Sequence, residues 1–343
     1  MSKADPCLFI RRRGDETTIL IIWVDDGIIA SNKSECIAQF LANTRNTFQI
    51  RSNQPDRFVG ITITRERNKR RIFLSQPDYV DKIVKTFQME GCHPKPIPAD
   101  PNSKLVKPPT QGDSGREKQN FPYREAIGSL LYLALVTRPD ISFAVGQAAR
   151  FVEHHDRSHC QAVKRIISYL KGTRAHGILF DGSKPMTVVG YTDADWAGCL
   201  DSRRSTTGSI FLFNRGPVAW CSKRQSCTAQ STVEAEYVAA SETAKEAVWI
   251  KRILPELQLN TEGPITIYCD NQGTIQLTRN PEQRQKTKHI DLRYHYIREQ
   301  QEKGQIEIRY IESENQLADI LTKALPKPRF EFLREALNIV KVP

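Results

Sequence analysis

The chain has 343 residues, of which 39% are apolar and 26% are charged. This composition is typical of a globular protein that is long enough for two or more domains. No apolar run approaches the roughly 20 residues that a membrane helix needs, and the N-terminus lacks the layout of a secretory signal, so we set the membrane and secreted classes aside. The 50 basic side chains outnumber the 39 acidic ones and give a net charge of +11, which favours a polyanionic partner such as nucleic acid.

Residues 1–91 are predicted to contain two hairpins and a helix. The segment TILIIWVDDGIIAS predicts two apolar strands joined by a tight turn, because Asp-Gly is a strong hairpin signal. The segment FVGITITRERNKRRIFLSQ indicates a second hairpin whose turn is rich in arginine and lysine. In QPDYVDKIVKTFQME one helical stripe is formed by Tyr79, Val80, Ile83, Val84 and Phe87.

Residues 92–120 are rich in Pro, Lys, Gly and Ser, with almost no aromatic side chains. This composition predicts a surface linker and a domain boundary. After the linker, three segments with apolar periodicity predict three helices before residue 180. They are REAIGSLLYLALV, DISFAVGQAARFVEH and SHCQAVKRIISYLKG.

From about residue 185 the pattern changes to strands that alternate with helices. The segments MTVVGYTDADWAG, SIFLFN and PVAWCSK predict strands that pair as a meander, and a long helix is expected from about Ser231 to Pro255. Strand ITIYCD, a short helix from Asn271, a polar helix near 290–303, strand QIEIRYIE and helix QLADILTKAL complete the order. This order predicts an α/β sheet with helices packed on its faces.

Four acidic residues of this last region stand where predicted strands end or helices begin. They are Asp193 in the first strand, Glu236 in the long helix, Asp270 after ITIYC and Asp319 in the last helix. Reactive groups in open α/β sheets commonly gather at strand ends. Clustered carboxylates repel one another, and Mg²⁺, which prefers oxygen ligands, reverses that penalty. Two such ions about 4 Å apart can hydrolyse a phosphodiester, so the pattern indicates cleavage of a nucleic-acid backbone.

The residues alone leave simpler interpretations open. The last two of these acids could instead cap or begin a helix. Periodicity does not choose between Asp193 and Asp195, which share a strand face. It also does not choose between Glu234 and Glu236, which flank the apolar stripe of the long helix at similar angles.

The eight cysteines are scattered singly along the chain. None belongs to a C-x-x-C pair or stands at metal-ligand spacing from a histidine, so a zinc site is not expected. Free thiols in a reducing compartment are the better interpretation.

Short strings in a fixed order carry a family resemblance over nearly the whole chain. They are TRPDISFAV, YLKGT, DADWAG, RRSTTGSIF, WCSKRQ, EAEYVAAS, CDNQGTIQL, KTKHIDLRYH and ADILTKAL. Together they resemble the Pol polyprotein of Copia-type LTR retrotransposons. The resemblance implies an α/β fold in which a ribonuclease H-like mixed sheet with flanking helices follows a truncated reverse-transcriptase palm and thumb, of α+β type, and a helical connection.

By this resemblance the chain divides into five parts. Residues 1–91 are a truncated palm and the start of a thumb, 92–120 are a Pro/Lys-rich linker, and 121–180 are a helical thumb or connection. Residues 185–325 form the ribonuclease H domain, and 326–343 form a C-terminal helix and tail.

The resemblance also implies roles for the four acids. Asp193 matches the first-strand Asp of ribonuclease H, Glu236 the first-helix Glu, Asp270 the fourth-strand Asp and Asp319 the last-helix Asp. These residues are then both metal ligands and catalytic residues, with Mg²⁺ or alternatively Mn²⁺ as cofactor and RNA–DNA hybrids as substrate. Many cellular ribonucleases H carry a His before the last Asp that is thought to assist product release. The loop ESENQL has none, a departure expected to affect the rate rather than metal binding.

The segment WVDDGIIAS is similar to the polymerase palm hairpin whose paired aspartates bind Mg²⁺, which implies that role for Asp25 and Asp26. Trp23 stands where Tyr is usual, a bulky change beside the primer end. A polymerase also needs a third carboxylate on an earlier palm strand and the fingers, and only 24 residues precede Asp25. We therefore expect a polymerase remnant without autonomous activity.

Basic side chains are the expected contacts for phosphate groups, and binding through them weakens with salt. The candidates are Arg65, Arg67, Arg70, Arg71, Arg203, Arg204, Lys286 and Lys288. The alternative for each of them is a place on a solvated charged face.

The leading hypothesis is a retrotransposon-derived ribonuclease H that binds RNA–DNA hybrids and retains a polymerase remnant. One alternative is a catalytically inactive remnant that binds nucleic acid, and another is an auxiliary partner that docks onto intact Pol. By resemblance the location is intracellular, either cytoplasmic or particle-associated, and self-association stays open.

Overall fold

The computed structural model describes residues 1–108, 121–184, 186–259, 262–279 and 296–343. It is a mixed α/β protein, and the described strands form three sheets. The strands are β1 (Leu8–Arg13), β2 (Glu16–Trp23), β3 (Asp26–Ser31), β4 (Arg57–Phe58), β5 (Ile61–Glu66), β6 (Arg71–Ser75), β7 (His176–Asp181), β8 (Val188–Asp195), β9 (Thr206–Phe213), β10 (Gly216–Arg224), β11 (Ile265–Cys269), β12 (Ile306–Tyr310) and β13 (Ile339–Lys341). The helices are α1 (Ser34–Arg45), α2 (Pro77–Thr86), α3 (Tyr123–Val136), α4 (Ser142–Ala149), α5 (Arg157–Gly172), α6 (Thr232–Glu256), α7 (Gln272–Arg279), α8 (described over 296–302) and α9 (Lys327–Ala336). None of the described helices is long and apolar enough to cross a membrane.

The first sheet has the antiparallel order β1-β2-β3. The predicted hairpin between β2 and β3 is present, but its turn consists of Val24 and Asp25, because Trp23 pairs with Asp26. Gly27 already lies in β3, so the turn precedes the Asp-Gly pair on which the prediction rested. This register places Ile21 opposite Ile28 and Leu20 opposite Ile29, and cross-strand side-chain pairing rather than turn composition sets the position of the turn.

A second antiparallel sheet has the order β13-β7-β6-β5-β4 and combines distant parts of the chain. Its β5–β6 hairpin confirms the second predicted hairpin, and α2 follows with its predicted apolar stripe buried. Strand β7 covers 176–181, so the segment predicted as helical up to residue 180 ends in a strand. Ile339 of β13 lies opposite Ile178 of β7. Residues near the C-terminus therefore complete a sheet that begins with β4.

The third sheet has the order β10-β9-β8-β11-β12. Strands β8, β9 and β10 form the predicted antiparallel meander, whereas β8, β11 and β12 run parallel. Helix α6 packs on this sheet through a buried stripe that includes Tyr237, Ala240 and Ala244. Because β8 and β11 are parallel neighbours, their carboxyl ends lie side by side at one edge of the sheet.

The described part of the predicted linker packs against the helices instead of extending freely over the surface. Ile97 is buried in the core that α2, α3 and α5 share. Asp100 forms an ion pair with Arg165 of α5 at 2.8 Å, and the Lys107 backbone N donates to Asp201 Oδ1 at 3.0 Å. A composition rich in Pro and Lys did not reveal these contacts, since each depends on one side chain or one backbone group.

The prediction of an α-helix at QLADILTKAL is wrong. Leu317–Leu321 form a short 3₁₀ helix, and the next α-helix is α9. Pro326 disfavours helical backbone at the residue before it and has no N–H to donate, so a helix cannot run through this point without a break. Asp319 therefore lies inside the 3₁₀ helix and does not open an α-helix.

A buried ion pair fixes the end of α3 to α5. Arg138 and Asp140 are each 1% exposed. Arg138 Nε and Nη2 donate to the two oxygens of Asp140 at 2.9 and 2.8 Å, and Tyr169 OH donates to Asp140 Oδ2 at 2.6 Å. Arg138 also donates to the carbonyl and hydroxyl oxygens of Thr173 at 3.1 and 2.7 Å. A buried charge is tolerated only when it is paired and hydrogen-bonded, and this pair satisfies both conditions.

We expect Arg138→Met to lower the free energy of unfolding by about 3–5 kcal/mol, because Asp140 would remain as a buried charge without its partner. The matched control is Arg174→Met, whose guanidinium pairs with Asp81 at the surface and should contribute about 1 kcal/mol or less. Urea unfolding followed by circular dichroism measures both variants. An equally small loss in the two variants would contradict the structural role of the buried pair.

His176 begins β7 and lies near this pair. Burial, together with the positive charges of Arg138 and Arg334, lowers the pKa of His176 to about 4. In the unfolded chain a histidine titrates near pH 6.5, so the unfolded chain takes up the proton first as the pH falls. The stabilisation that depends on a neutral His176 is therefore complete above about pH 6.5 and is lost progressively toward pH 4.

We expect the free energy of unfolding to be about 1–2 kcal/mol lower at pH 5 than at pH 7 because of His176. His176→Gln should remove this part of the pH dependence, whereas His93→Gln, at an exposed position, should keep it. Urea titrations at the two pH values give the comparison. If H176Q follows the wild-type pH dependence, the buried neutral histidine is not its source.

Candidate active site at the ends of parallel strands

Asp193 lies near the end of β8 and is 4% exposed. Thr322 Oγ1 donates a hydrogen bond to Asp193 Oδ2. The contact requires the 3₁₀ helix to lie close to β9, where Gly208 stands opposite Asp193. A Cβ at Gly208 would lie 3.0 Å from the Ala318 carbonyl oxygen, so the missing side chain permits the close approach.

Helix α6 brings Glu236 to the end of β8. At its N-terminus the Ser231 hydroxyl accepts from Glu234 N at 3.2 Å, and Glu234 Oε2 accepts from Gln230 N at 2.7 Å. One turn of the helix is thereby capped. Glu236 is buried, and its Oε1 accepts from Ala194 N at 3.0 Å. The two glutamates that periodicity could not separate thus differ, since Glu234 caps the helix and Glu236 faces the strand.

The two aspartates of β8 differ in the same way. The charged neighbours of Asp193 include Asp319 and Asp270. The charged neighbours of Asp195 are Lys104 and Lys323. Of the two, Asp193 is the one that belongs with the other acids.

Asp270 directly follows β11, and its Oδ2 accepts from Ser313 Oγ at 2.6 Å. The next residue, Asn271, accepts from Thr274 N at 2.9 Å and caps α7. The cap that the sequence left open for Asp270 is therefore provided by its neighbour. The Asp270 carboxylate stays at the strand end, beside β8.

Asp319 is 5% exposed within the 3₁₀ helix. Lys323 Nζ lies 2.6 Å from its Oδ1, and Arg329 Nη2 lies 3.1 Å from its Oδ2. The charge of Asp319 still acts on Asp193. Asp193, Glu236, Asp270 and Asp319 are called the carboxylate cluster below.

The carboxylate cluster is electrostatically unfavourable when it is fully ionised. Burial raises the pKa of Asp193 to about 6, and the charges of Asp319 and Asp270 add to the rise, while Lys323 opposes it. Burial and the neighbouring Asp193 raise the pKa of Glu236 well above its usual range. Without a compensating cation, both acids favour the protonated form.

Two members of the carboxylate cluster, Glu236 and Asp270, lie close enough together to share a divalent cation. One ligand atom each from Glu236, Cys269 and Asp270 lies within 4.8 Å of the other two. All eight cysteines are free thiols, as the sequence predicts. Burial and the charge of Glu236 raise the pKa of the Cys269 thiol well above its usual range, so its sulfur is a poor ligand. The remaining oxygen donors fit Mg²⁺ or Mn²⁺, and a bound cation would relieve the repulsion.

The remaining predicted residues lie at other positions. Asp25 and Asp26 are exposed at the β2–β3 turn. Arg65 is exposed near the end of β5. Arg67 and Arg70 are exposed in the β5–β6 loop, and in the β8–β9 loop Arg203 is exposed and Arg204 is half-buried. Arg71 instead forms an ion pair with Asp181 at 3.4 Å. Lys286 and Lys288 lie outside the described residues.

Sequence analysis missed the side chains that hold the carboxylate cluster in place. Lys323 stands four residues after Asp319, a common spacing for ion pairs, and could have been identified from that spacing. Thr322, Ser313 and Arg329 reach their carboxylates from other elements or across a proline, so no local pattern signals them.

Comparisons with known proteins cover the whole chain. A family model described as reverse transcriptase (RNA-dependent DNA polymerase) matches residues 1–101. The retrovirus-related Pol polyprotein from transposon TNT 1-94 of Nicotiana tabacum is 39% identical over 340 residues, covering 98% of this chain and 26% of the polyprotein. That from transposon RE1 of Arabidopsis thaliana is 34% identical over 343 residues, covering 100% and 23%. The chain thus spans about a quarter of the length of these relatives. A solved ribonuclease H1 in complex with an RNA/DNA hybrid is similar over 40% of this chain and 94% of its own, with 12% identity and a TM-score of 0.30.

We expect Asp193→Asn to raise the free energy of unfolding by about 1–3 kcal/mol at pH 8 in chelator. The native pKa is about 6, against about 3.9 in an unfolded chain, so ionisation of Asp193 opposes folding and does so fully above pH 6. Mg²⁺ should stabilise the wild type more than the variant, because the variant lacks one charge that attracts the ion. Urea midpoints with and without Mg²⁺ measure both effects.

The matched control is Asp181→Asn at the end of β7. Asp181 accepts hydrogen bonds from Ser183 and pairs with Arg71, which lowers its pKa, so its ionised form favours folding. This variant should therefore be less stable than the wild type at pH 8 and should respond to Mg²⁺ as the wild type does. A destabilised D193N, or an equal response of D193N to Mg²⁺, would contradict the assignment of a metal-binding acid.

Proposed function

This chain belongs to the family of retrovirus-related Pol polyproteins of Copia-type transposons, and from this premise we propose that it is a ribonuclease H that cleaves the RNA strand of RNA–DNA hybrids. The observation that carries the proposal is the carboxylate cluster, in which ligand atoms of Glu236 and Asp270 lie within 4.8 Å of each other and the charges of Asp270 and Asp319 act on Asp193. A cluster that is unfavourable without a cation is expected where a divalent metal is used for phosphodiester hydrolysis.

The fold supports the same proposal. The mixed sheet β10-β9-β8-β11-β12, with α6 on its face, is consistent with a ribonuclease H-like unit over 185–325. We assign 1–91 to a palm and the start of a thumb, 92–120 to a linker and 121–180 to a connection. Residues 326–343 contribute α9 and β13, and β13 pairs with the second sheet.

The carboxylate cluster would hold Mg²⁺ or Mn²⁺, and the bound ions would activate a water and stabilise the charge on the leaving oxygen. The chain's own part is to orient the ligands. A backbone N–H holds Glu236, a threonine hydroxyl holds Asp193 and the Ser313 hydroxyl holds Asp270. Two cationic side chains hold Asp319. These contacts would hold the four carboxylates in the orientation that metal binding needs.

The proposed partner is nucleic acid. The net charge of +11 favours a polyanion, and exposed arginines in two surface loops could neutralise phosphates. Arg65 at the end of β5 and Arg67 and Arg70 in the β5–β6 loop form one group, and Arg203 and the half-buried Arg204 after β8 form the other. We assign no catalytic role to Asp25 and Asp26, because both are exposed at a turn.

A second candidate function is nucleic-acid binding without turnover, alone or as an auxiliary of intact Pol. The pairing of Asp319 with Lys323 and Arg329 favours it, since two positive charges already stand where a metal would approach. The exposed Ile22 and Trp23 of the first sheet offer an apolar surface on which intact Pol could dock.

The test is incubation of the purified chain with a hybrid labelled on its RNA strand, in Mg²⁺ and in chelator. We expect metal-dependent cleavage of the RNA strand alone. Asp270→Asn should reduce cleavage to the level of the chelated sample, because it removes one of the proposed metal ligands. The matched control, Asp26→Asn, changes an exposed aspartate and should cleave as the wild type does.

Each possible result separates the candidate functions. Hybrid binding by the wild type without cleavage would favour the second function. Full cleavage by D270N would refute the role of the carboxylate cluster. Equal urea midpoints of D270N and the wild type would show that a loss of cleavage is not a loss of fold.

A further inference from the structure

A groove of about 370 Å³ adjoins the carboxylate cluster. Its lining comes mainly from residues 98–101 and 103–105 and from α4 and α5. Asp195 and Lys323 also line it, and Lys323 is the residue that pairs with Asp319 of the cluster. The groove and the cluster therefore share a border.

The size of the groove limits what can enter it. A cavity of a few hundred Å³ accommodates a small ligand or one unit of a polymer. A nucleic-acid duplex is far larger, since its major groove alone is about 12 Å wide. If the groove takes part of a nucleic acid, that part is a single unpaired nucleotide.

The charges of the groove favour a phosphate. Its cationic side chains are Lys104, Arg150, Arg165 and Lys323, and its carboxylates are Asp100 and Asp195. Arg165 pairs with Asp100 at 2.8 Å and Arg150 pairs with Asp201 at 3.5 Å. Lys104 is exposed, and it makes no ion pair within the part of the chain that the structure describes. The charge of Asp195 acts on Lys104, and of the four cationic groups its exposed ammonium is the best placed to receive a phosphate.

Apolar side chains complete the groove. Leu105, Phe143 and Ile166 line it, and Phe143 of α4 is half-buried. Aromatic rings next to cationic side chains are the usual elements of single-stranded nucleic-acid sites, because every base has a face that can stack. The combination of Phe143 and Lys104 supplies one element for a base and one for a phosphate.

We propose that this groove binds one unpaired nucleotide of a single-stranded tail on the substrate, next to the carboxylate cluster. That the substrate is a nucleic acid rests on the function proposed above. The base stacks on Phe143, and its phosphate contacts Lys104. The chain then cleaves hybrids that carry a single-stranded tail in preference to blunt ones, because the tail adds contacts that a blunt hybrid lacks.

The first test measures binding of a labelled single-stranded ten-nucleotide DNA by fluorescence anisotropy, in chelator. Lys104→Glu should weaken binding about tenfold and reduce the salt slope by about one. Phe143→Leu should weaken it about fivefold through lost stacking. The matched control is Lys107→Glu, an identical charge change on the same segment at a residue that does not line the groove. This control should change affinity by less than about threefold.

The second test compares cleavage of a blunt hybrid with hybrids that carry a five-nucleotide tail at either end. The wild type should prefer one tailed hybrid about fivefold or more, and Lys104→Glu should abolish the preference by lowering cleavage of the tailed hybrid to the level of the blunt one. Urea midpoints of the variants exclude a loss of fold.

The results separate this proposal from the function on which it rests. Wild-type cleavage that ignores the tail, with unchanged binding by K104E and F143L, would overturn the groove while leaving the ribonuclease intact. Equal losses in K104E and K107E would also overturn it, since the effect would then be general electrostatics. Binding that depends on Lys104 and Phe143 without cleavage of any hybrid would support the groove and refute the ribonuclease.

Discussion

The buried ion pair between Arg138 and Asp140 holds the helices of the chain together. Their pair lies between the end of α3 and the start of α4, and Tyr169 ties it to α5. Helix α3 in turn accepts a hydrogen bond at Ala134 O from Trp220 of β10, at 2.7 Å. The third sheet is therefore positioned against helices whose own arrangement depends on the ion pair. Helices α4 and α5 also line the groove beside the carboxylate cluster.

The carboxylate cluster imposes the opposite kind of constraint. It places like charges in a buried setting, which raises the pKa values of Asp193 and Glu236. Ionisation of these acids therefore lowers the stability of the folded protein. The large apolar stripe that α6 and the strands bury next to the cluster stabilises the fold and offsets this penalty. A site of this kind discriminates by charge, since a divalent cation gains the energy that the acids lose to one another. The ion pairs of Asp319 supply part of that compensation within the chain.

Local patterns in the sequence predicted the hairpins, the meander and α6, because alternation and helical periodicity are properties of consecutive residues. They also predicted four acids where strands end or helices begin, and the parallel pairing of β8 with β11 places Asp193 and Asp270 at one edge of the sheet. Periodicity could not choose Asp193 over Asp195 or Glu236 over Glu234, because the choice depends on contacts such as that of Glu236 with the backbone of β8. The 3₁₀ helix around Asp319 and the pairing of β13 with β7 were missed for the same reason, since both are set by packing between distant segments.

The pairing of Ile339 with Ile178 affects how the protein is made. On the ribosome, β7 emerges long before β13, and the entire third sheet is synthesised between them. At about 5–20 residues per second, one edge of β7 waits on the order of ten seconds for its partner. An open strand edge readily joins the edge of another chain. The nascent protein therefore exposes an unpaired strand edge during this interval, and β13 covers that edge only when almost the whole of this sequence has been synthesised.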